Sequence, residues 1–158
     1  YELQYLINLE NLRNTDIYNF NHPKAEYSNF NLALTRKKCD DINNLISPPS
    51  KGIFIGQKWI CRVNSDKWSN GERFTVTSIT DGKKLIYKIK SEFNEFEITE
   101  YKLKHDFVLG YCITIASCQG LTINEPYTIH EYDQLSNYKG NLYTALSRST
   151  SVYNITVA

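Results

Sequence analysis

The sequence contains no methionine, four prolines and four cysteines in 158 residues. A chain without an initiator methionine is predicted to be a fragment of a longer protein. The cysteines form no C-x-x-C pair and have no histidine at metal-ligand spacing, which argues against a metal site. No apolar run approaches the roughly 18 residues of a membrane helix, and residues 1–8 do not resemble a signal peptide. We therefore expect an intracellular protein without a membrane partner.

Strong net charge is also absent. The 18 Lys and Arg residues nearly balance the 17 Asp and Glu residues, so the formal net charge is +1. Such a small charge gives no broad field for holding a polyanion, and any such contact must depend on a few placed side chains. Hydrophobic residues make up 41% of the chain, with 12 Tyr and 7 Phe. This content can fill a core, which excludes a disordered tail.

The hydrophobic pattern of the first third of the chain is helical, with one strand. Leucine and isoleucine residues at spacings of three and four predict an amphipathic helix over residues 2–13. A short helical turn is predicted around residues 17–20. Leu32–Leu34 predict a strand, and the apolar spacing of residues 39–46 predicts the helix that follows it. The adjacent Pro48 and Pro49 end that helix.

The period changes to two between residues 52 and 105, which predicts an antiparallel meander of four or five short strands. Its turns carry Asn70-Gly71 and Asp81-Gly82, which are strong hairpin signals. The size fits a small barrel of SH3-like or OB-like architecture.

An α/β pattern returns near residue 106. The nearly continuous apolar run at 107–115 is typical of a strand buried on both faces of a parallel sheet. The segments that follow predict a strand at 127–129, a helix at 138–147 and a closing strand at 152–157. We therefore predict one α/β sheet domain formed by residues 1–50 and 106–158, with a β module inserted at residues 51–105.

Three predicted loops carry candidate ligand-binding residues. In open α/β sheets, ligands bind at the loops that leave the carboxyl ends of the strands. Thr35-Arg36 and Ser117–Gly120 follow two predicted strands, and Ser147-Arg148 ends the last helix. Arginine suits phosphate because its planar fork donates two parallel hydrogen bonds and keeps its charge. Two arginines could therefore clamp a triphosphate.

Three segments resemble motifs of superfamily 1 helicases, and they occur in the order of that family. Residues 32–43 (LALTRKKCDDIN) are similar to motif IV, and residues 110–122 (GYCITIASCQGLT) resemble motif V. Residues 141–151 (NLYTALSRSTS) resemble motif VI of the Pif1 and RecD-like branch. Residues 56–71 resemble a run in the SH3-like insertion of that branch.

The resemblance implies the second RecA-like lobe of an ATP-dependent DNA helicase, called 2A, with an inserted SH3-like β-barrel, called 2B. The implied fold class is α/β, with a parallel RecA-like sheet. Arg148 would be the arginine finger that reaches the γ-phosphate of ATP, and Arg36 would be a second phosphate contact. Gln119 and Gly120 would link the nucleotide cleft to the DNA-binding face.

The implied partners are single-stranded or forked DNA and the N-terminal RecA-like lobe of the same polypeptide, in the nucleus, the cytoplasm or a viral replication site. Thr114 would donate to a DNA phosphate, while Trp59 and Lys88 would stack on bases and support them. A core role is the alternative for Trp59, and a buried strand position is the alternative for Thr114. ATP and Mg²⁺ would be bound mainly by the absent N-terminal lobe.

The sequence also departs from the helicase pattern. It lacks the P-loop signature G-x-x-x-x-G-K-S/T, so we expect the chain alone to be inactive. Residues 116–118 are Ala-Ser-Cys where motif V has His-Lys-Ser, which removes an imidazole and an ammonium group. This difference keeps open a second hypothesis, a non-catalytic nucleic-acid or protein binding module derived from a helicase lobe.

Overall fold

A computed structural model describes residues 22–158, which form two compact units. The first unit contains the described residues up to Ile42 together with Cys112–Ala158, and the second is Asn43–Tyr111. The helix predicted over residues 2–13 and the turn around residues 17–20 lie outside the described part. Within residues 22–158, none of the helices has the length and hydrophobicity needed to span a membrane.

The strands and helices are numbered in chain order. The strands are β1 (Phe30–Ala33), β2 (Lys58–Cys61), β3 (Arg73–Asp81), β4 (Leu85–Lys90), β5 (Glu95–Thr99), β6 (Phe107–Leu109), β7 (Cys112–Thr114), β8 (Tyr127–Ile129) and β9 (Ile155–Val157). The α-helices are α1 (Arg36–Ile46), α2 (Glu100–Asp106), α3 (Tyr132–Leu135) and α4 (Lys139–Leu146), and 3₁₀ turns lie at Pro49–Lys51, Ala116–Cys118 and Val152–Asn154.

The first unit contains a parallel sheet of four strands in the order β7-β1-β8-β9. All four residues of β1 are buried, and Leu32 pairs with Ile113 on one side and with Ile129 on the other. Helix α4 packs Leu142 and Leu146 into the core formed by these strands. The predicted α/β class with a parallel sheet is therefore confirmed.

The second unit contains an antiparallel sheet of five strands in the order β5-β4-β3-β2-β6. Side chains of its core alternate along β3, where Phe74 and Val76 are fully buried, as expected for a strand with one core-facing side. Asp81 and Gly82 begin the short β3–β4 turn, whereas Asn70-Gly71 lies in the longer β2–β3 connection. The SH3-like barrel closure of this unit stays a prediction.

The prediction of one strand over residues 107–115 is wrong, because this run supplies strands to two sheets. β6 pairs antiparallel with β2, and β7 pairs parallel with β1. The run is nearly continuously apolar because each half packs buried or half-buried side chains against a core, although the two cores are different. For the same reason one division between the units falls after Tyr111, whereas the sequence pattern suggested residue 105. The other division falls after Ile42, whereas the sequence pattern suggested residue 50.

Helix α2 was not predicted from the sequence. Thr99 caps it, since its hydroxyl accepts a hydrogen bond from the backbone N–H of Lys102 at 3.3 Å. Glu100 lies in the first turn, and Lys104 and His105 lie in the last, which matches the helix dipole. With seven residues and only Leu103 as a buried apolar side chain, the helix is too short to show a period.

The close packing around Gly110, which lies between β6 and β7, can be tested by substitution. A Cβ added there would lie 2.9 Å from Cγ1 of Ile60 and 3.0 Å from the backbone carbonyl carbon of Trp59. Gly110→Ala is expected to lower the free energy of unfolding by about 1–3 kcal/mol, measured by urea-induced unfolding.

Gly140→Ala is the matched control, because Gly140 lies in α4 and an added Cβ there meets nothing within 4 Å. This change is expected to raise the free energy of unfolding by up to about 1 kcal/mol. Equal stabilities of the two variants would contradict the close approach at Gly110.

Candidate functional site

The carboxyl ends of β1, β7 and β8 lie side by side, because these three strands are parallel and β1 is in the middle. The start of α1 follows β1, the 3₁₀ turn at Ala116–Cys118 follows β7, and Glu131 follows β8. This edge of the sheet is the place where open α/β sheets bind ligands. Arg36 and the loop after β7 lie at this edge, and Arg148 contacts that loop through the carbonyl oxygen of Leu121.

Arg148 lies two residues after α4 and is half-buried. Its Nε donates to the carbonyl oxygen of Thr144 at 3.1 Å, and its Nη2 donates to the hydroxyl of Ser147 at 3.0 Å. A longer contact of 3.5 Å joins Nη1 to the carbonyl oxygen of Leu121. All three acceptors are neutral, and within residues 22–158 the structure gives this guanidinium no carboxylate partner. Its position is therefore fixed, while no carboxylate among the described residues neutralises its charge.

The helix that carries Arg148 is fixed to the sheet. Tyr127 in β8 is fully buried, and its hydroxyl donates to the carbonyl oxygen of Ala145 at 2.7 Å. Ala145 and Leu146 are themselves fully buried in the same core. The core therefore determines where the α4 C-terminus, and with it Arg148, is placed.

The loop after β7 is a tight turn that contains Gln119 and Gly120. Both residues are exposed, and the backbone N–H of Leu121 closes the turn by donating to the carbonyl oxygen of Cys118 at 3.0 Å. Gly120 has a φ of 90°, a conformation that a residue with a Cβ rarely adopts. Glycine is thus required by the turn itself.

Backbone hydrogen bonds join this loop to the Arg148 segment. The N–H of Ile123 donates to the carbonyl oxygen of Arg148 at 2.8 Å, and the N–H of Thr150 donates back to Ile123 at 3.4 Å. Ile123 and Ser149 form a parallel β-bridge. The residue directly after the segment that resembles motif V is therefore joined by backbone hydrogen bonds to the segment that resembles motif VI.

Arg36 is the first residue of α1 and is exposed. It begins a run of three cations with Lys37 and Lys38, and the first turn of α1 contains no acidic residue. Cations at a helix N-terminus oppose the helix dipole and cost stability. Lys37 pairs with Asp41 at 3.4 Å, while the described part of the chain provides no ion-pair partner for Arg36.

Glu131 is a residue of this edge that the sequence did not indicate. Its carboxylate accepts hydrogen bonds from the backbone N–H groups of Leu34 and Thr35, at 3.1 and 3.0 Å, and from the Thr35 hydroxyl at 3.1 Å. The two partners are about a hundred positions apart in sequence. No local pattern could therefore have revealed the contact.

Thr114 and Ser117 form a local pair at the end of β7. Their hydroxyl oxygens are 2.7 Å apart, and the N–H of Ser117 donates to the Thr114 hydroxyl at 3.3 Å. Thr114 is half-buried and Ser117 is exposed. The Thr114 hydroxyl thus points to the loop but already has a partner within it.

Trp59 and Lys88 belong to the second unit. Trp59 is 7% exposed within the core of the antiparallel sheet, and its indole N–H donates to Oε1 of Gln57 at 3.0 Å. The exposed ring that base stacking needs is absent here, and the core alternative describes this residue. Lys88 is half-exposed, with its Nζ 3.7 Å from a carboxylate oxygen of Glu95.

Among the comparisons with known proteins, only the comparison with solved structures finds matches to this chain. No protein-family model and no curated protein matches the chain. Among solved structures, it is similar to a Pif1 helicase from Candida albicans, with a TM-score of 0.68 and 14% identity over 98% of this chain and 52% of that one. The chain has the fold of a Pif1 helicase domain.

Two further structures agree with this fold. One describes DNA unwinding at forked dsDNA by two coordinating Pif1 helicases, with a TM-score of 0.63, 18% identity, and coverage of 99% of this chain and 46% of that one. The other is Pif1 from Bacteroides with ADP-AlF3 and ssDNA, with a TM-score of 0.61, 16% identity, and coverage of 99% and 48%. The chain spans about half the length of these Pif1 chains.

Cys118 lies beside Arg148 in this Pif1-like fold. Burial raises the pKa of its thiol to about 11, and the nearby Arg148 charge only partly opposes this shift. The thiol donates to the carbonyl oxygen of Ile115 at 3.0 Å. Cys118 is thus a protonated core residue of the loop, and its thiol is not a reactive group.

The buried His130, next to Glu131, leads to a prediction of how the stability of the fold depends on pH. Its Nε2 donates to Oδ1 of Asn31 at 2.9 Å, and burial lowers its pKa to about 4. Burial also lowers the pKa of His22 to about 4. Below the unfolded-state pKa of 6.5, the unfolded chain binds protons that the native chain does not bind. The free energy of unfolding is expected to fall between pH 6.5 and 4, by on the order of 3 kcal/mol per histidine at most.

Urea-induced unfolding at pH 7.5, 6.0 and 4.5 measures this effect, and NMR titration of the histidine ring protons assigns it. Constant stability across this range, or an NMR pKa of His130 near 6.5, would contradict the buried neutral imidazole.

Proposed function

We propose that this chain is the C-terminal motor lobe of an ATP-dependent DNA helicase, and that it presents Arg148 and Arg36 to the γ-phosphate of ATP bound by another lobe. The observation that carries the proposal is a pair of arginines on one α/β unit with a Pif1-like fold, for which residues 22–158 provide no carboxylate partner. The antiparallel unit would be the inserted SH3-like module.

Arg148 suits a transition-state contact because its guanidinium is positioned by neutral acceptors. A preorganised charge stabilises the charge that develops during phosphoryl transfer, without reorganisation at the moment of reaction. The hydrogen bonds to Thr144 and Ser147 use Nε and one Nη2 proton, which leaves further donors for a phosphate oxygen. An arginine of this kind, in trans, is worth about 10³–10⁵ in rate in related systems.

Arg36 suits a second phosphate contact for electrostatic reasons. Three successive cations at a helix N-terminus are unfavourable unless an anion offsets them, and a phosphate at this end would do so. The residues present therefore fit the anionic end of ATP. We propose that the P-loop and the Mg²⁺ site belong to the N-terminal lobe, because this sequence contains no P-loop signature.

DNA is the proposed second partner. One Pif1 structure with the same fold contains ssDNA together with ADP-AlF3, and another describes forked dsDNA. In this chain, Gln119 is exposed on the loop whose backbone contacts the Arg148 segment. If Gln119 and Thr114 bind the DNA backbone, a movement of this loop on DNA binding would be transmitted to Arg148 through these backbone hydrogen bonds.

Substitution of Arg148 tests the nucleotide role. In the longer protein that contains this chain, Arg148→Ala is expected to lower the kcat of DNA-stimulated ATP hydrolysis by about 10³ or more. Arg148→Lys should recover little of this loss, because an ammonium cannot reproduce the planar fork. The matched control is Arg62→Ala, which removes an exposed arginine of the other unit. An Arg148→Ala rate within about twofold of wild type would contradict the assignment.

Substitutions in the loop after β7 test the DNA role. Gln119→Ala and Thr114→Val are each expected to weaken ssDNA binding about three- to tenfold, since each removes one hydrogen bond to the backbone. Fluorescence anisotropy at fixed ionic strength measures the affinity. Gln134→Ala in α3 is the control, because Gln134 is an exposed glutamine on another element. Unchanged affinity in both loop variants would contradict the DNA contact.

The loop also supports the second candidate function, a binding module without catalysis. Ala116 and Ser117 are exposed at the positions where the helicase pattern has an imidazole and an ammonium group. The Ser117 hydroxyl is hydrogen-bonded to the Thr114 hydroxyl, so Thr114 already has a partner within the loop. A P-loop and an acidic Mg²⁺-binding motif encoded upstream of Tyr1 would favour the enzyme. Their absence, together with DNA binding that does not depend on Arg148, would favour the module.

A further inference from the structure

We infer that Glu131 is a positioning residue, which fixes the segment that presents Arg36 to phosphate. The inference rests on the proposed function of Arg36, and it concerns a residue that lies outside all three motif-like segments. Glu131 enters the site from the end of β8, whereas Arg36 begins the helix after β1.

The carboxylate of Glu131 holds the residue that precedes Arg36. One of its oxygens accepts from the backbone N–H of Thr35 at 3.0 Å and from that of Leu34 at 3.1 Å. Both of its oxygens accept from the Thr35 hydroxyl at 3.1 Å. These contacts satisfy two backbone donors at the point where β1 has ended and the helix has not yet begun.

Thr35 is in turn hydrogen-bonded to the first turn of α1. Its hydroxyl accepts from the backbone N–H of Lys38 at 3.3 Å, and its carbonyl oxygen accepts from the N–H of Cys39 at 3.2 Å. Thr35 therefore caps the helix whose first residue is Arg36. Because the cap is hydrogen-bonded to Glu131, the direction in which α1 begins depends on that carboxylate.

The backbone of Glu131 supports a role for the side chain. With φ 57° and ψ 34°, it is the one residue other than glycine with a positive φ in residues 22–158. A Cβ is unfavourable in this region, where glycine or asparagine is the usual occupant. Neither of those residues has a side chain that reaches as far as a glutamate carboxylate.

The negative charge of Glu131 also affects the cations at the start of α1. Glu131 brings a carboxylate to the end of α1 where Arg36, Lys37 and Lys38 repel one another and oppose the helix dipole. It does so through Thr35 and forms no ion pair with Arg36. The cluster is partly balanced while the Arg36 guanidinium stays available for an anion.

Glu131→Gly tests the inference without strain, because glycine accepts the left-handed conformation and only the carboxylate is lost. In the longer protein we expect a kcat for DNA-stimulated ATP hydrolysis that is about ten- to a hundredfold lower, with a smaller change in KM, because a displaced group loses mainly transition-state contacts. Glu131→Gln should restore most of the rate, since its amide oxygen can accept from both backbone N–H groups.

Arg36→Ala and the double variant separate the inference from the proposed function. If Glu131 acts through Arg36, Glu131→Gly should lower kcat little further in the Arg36→Ala background. Asp133→Asn, an exposed carboxylate on the adjacent helix, should retain the wild-type rate. If Arg36→Ala itself keeps the wild-type rate, the proposed function of Arg36 fails and the inference fails with it. A large loss in Arg36→Ala with none in Glu131→Gly, or fully additive losses, would overturn the inference alone.

Amide hydrogen exchange in the 158-residue chain gives a readout that does not depend on activity. In Glu131→Gly, the amides of Leu34 and Thr35 should exchange faster, while that of Leu32 in β1 should keep its protection. Unchanged protection at Thr35 would overturn the inference, because the carboxylate would then not hold the cap.

Discussion

The parallel pairing of β1 with both β7 and β8 is the constraint on which the site depends. β1 is four residues long and fully buried, and its two partners come from beyond the inserted unit. Because the pairing is parallel, the three carboxyl ends share one edge of the sheet. Arg36, which the local sequence alone does not distinguish from a surface arginine, thereby lies near loops that are far away in sequence.

Hydrogen bonds with neutral groups also hold two charged side chains of this unit in place. Arg148 is held by carbonyl and hydroxyl oxygens, and Glu131 is held by backbone N–H groups and a hydroxyl. Direct ion pairing between such groups would neutralise the arginines before a ligand arrived. Arg148 is thereby held in position, and residues 22–158 supply no carboxylate that neutralises either guanidinium group, which is the property that the proposed motor lobe requires.

Local patterns predicted the apolar strand β8 and the helix α4, and the motif order indicated Arg36 and Arg148. The rest depended on contacts that no local pattern contains. The run at 107–115 is equally apolar in both of its sheets, so only pairing with β2 and β1 reveals the break at Gly110. Glu131 binds a residue about a hundred positions away, and Trp59 could be assigned to the core only once its neighbours were known.

The most direct test of the central claim is a structure of the longer protein with ADP, aluminium fluoride and ssDNA, in which the fluoride complex stands for the transferred phosphoryl group. The account predicts that guanidinium nitrogens of Arg148 and Arg36 lie about 3 Å from the fluoride ligands. Arg148 would still donate through Nε to Thr144. A nucleotide bound in the cleft with both guanidinium groups turned away from the fluoride complex would contradict the account.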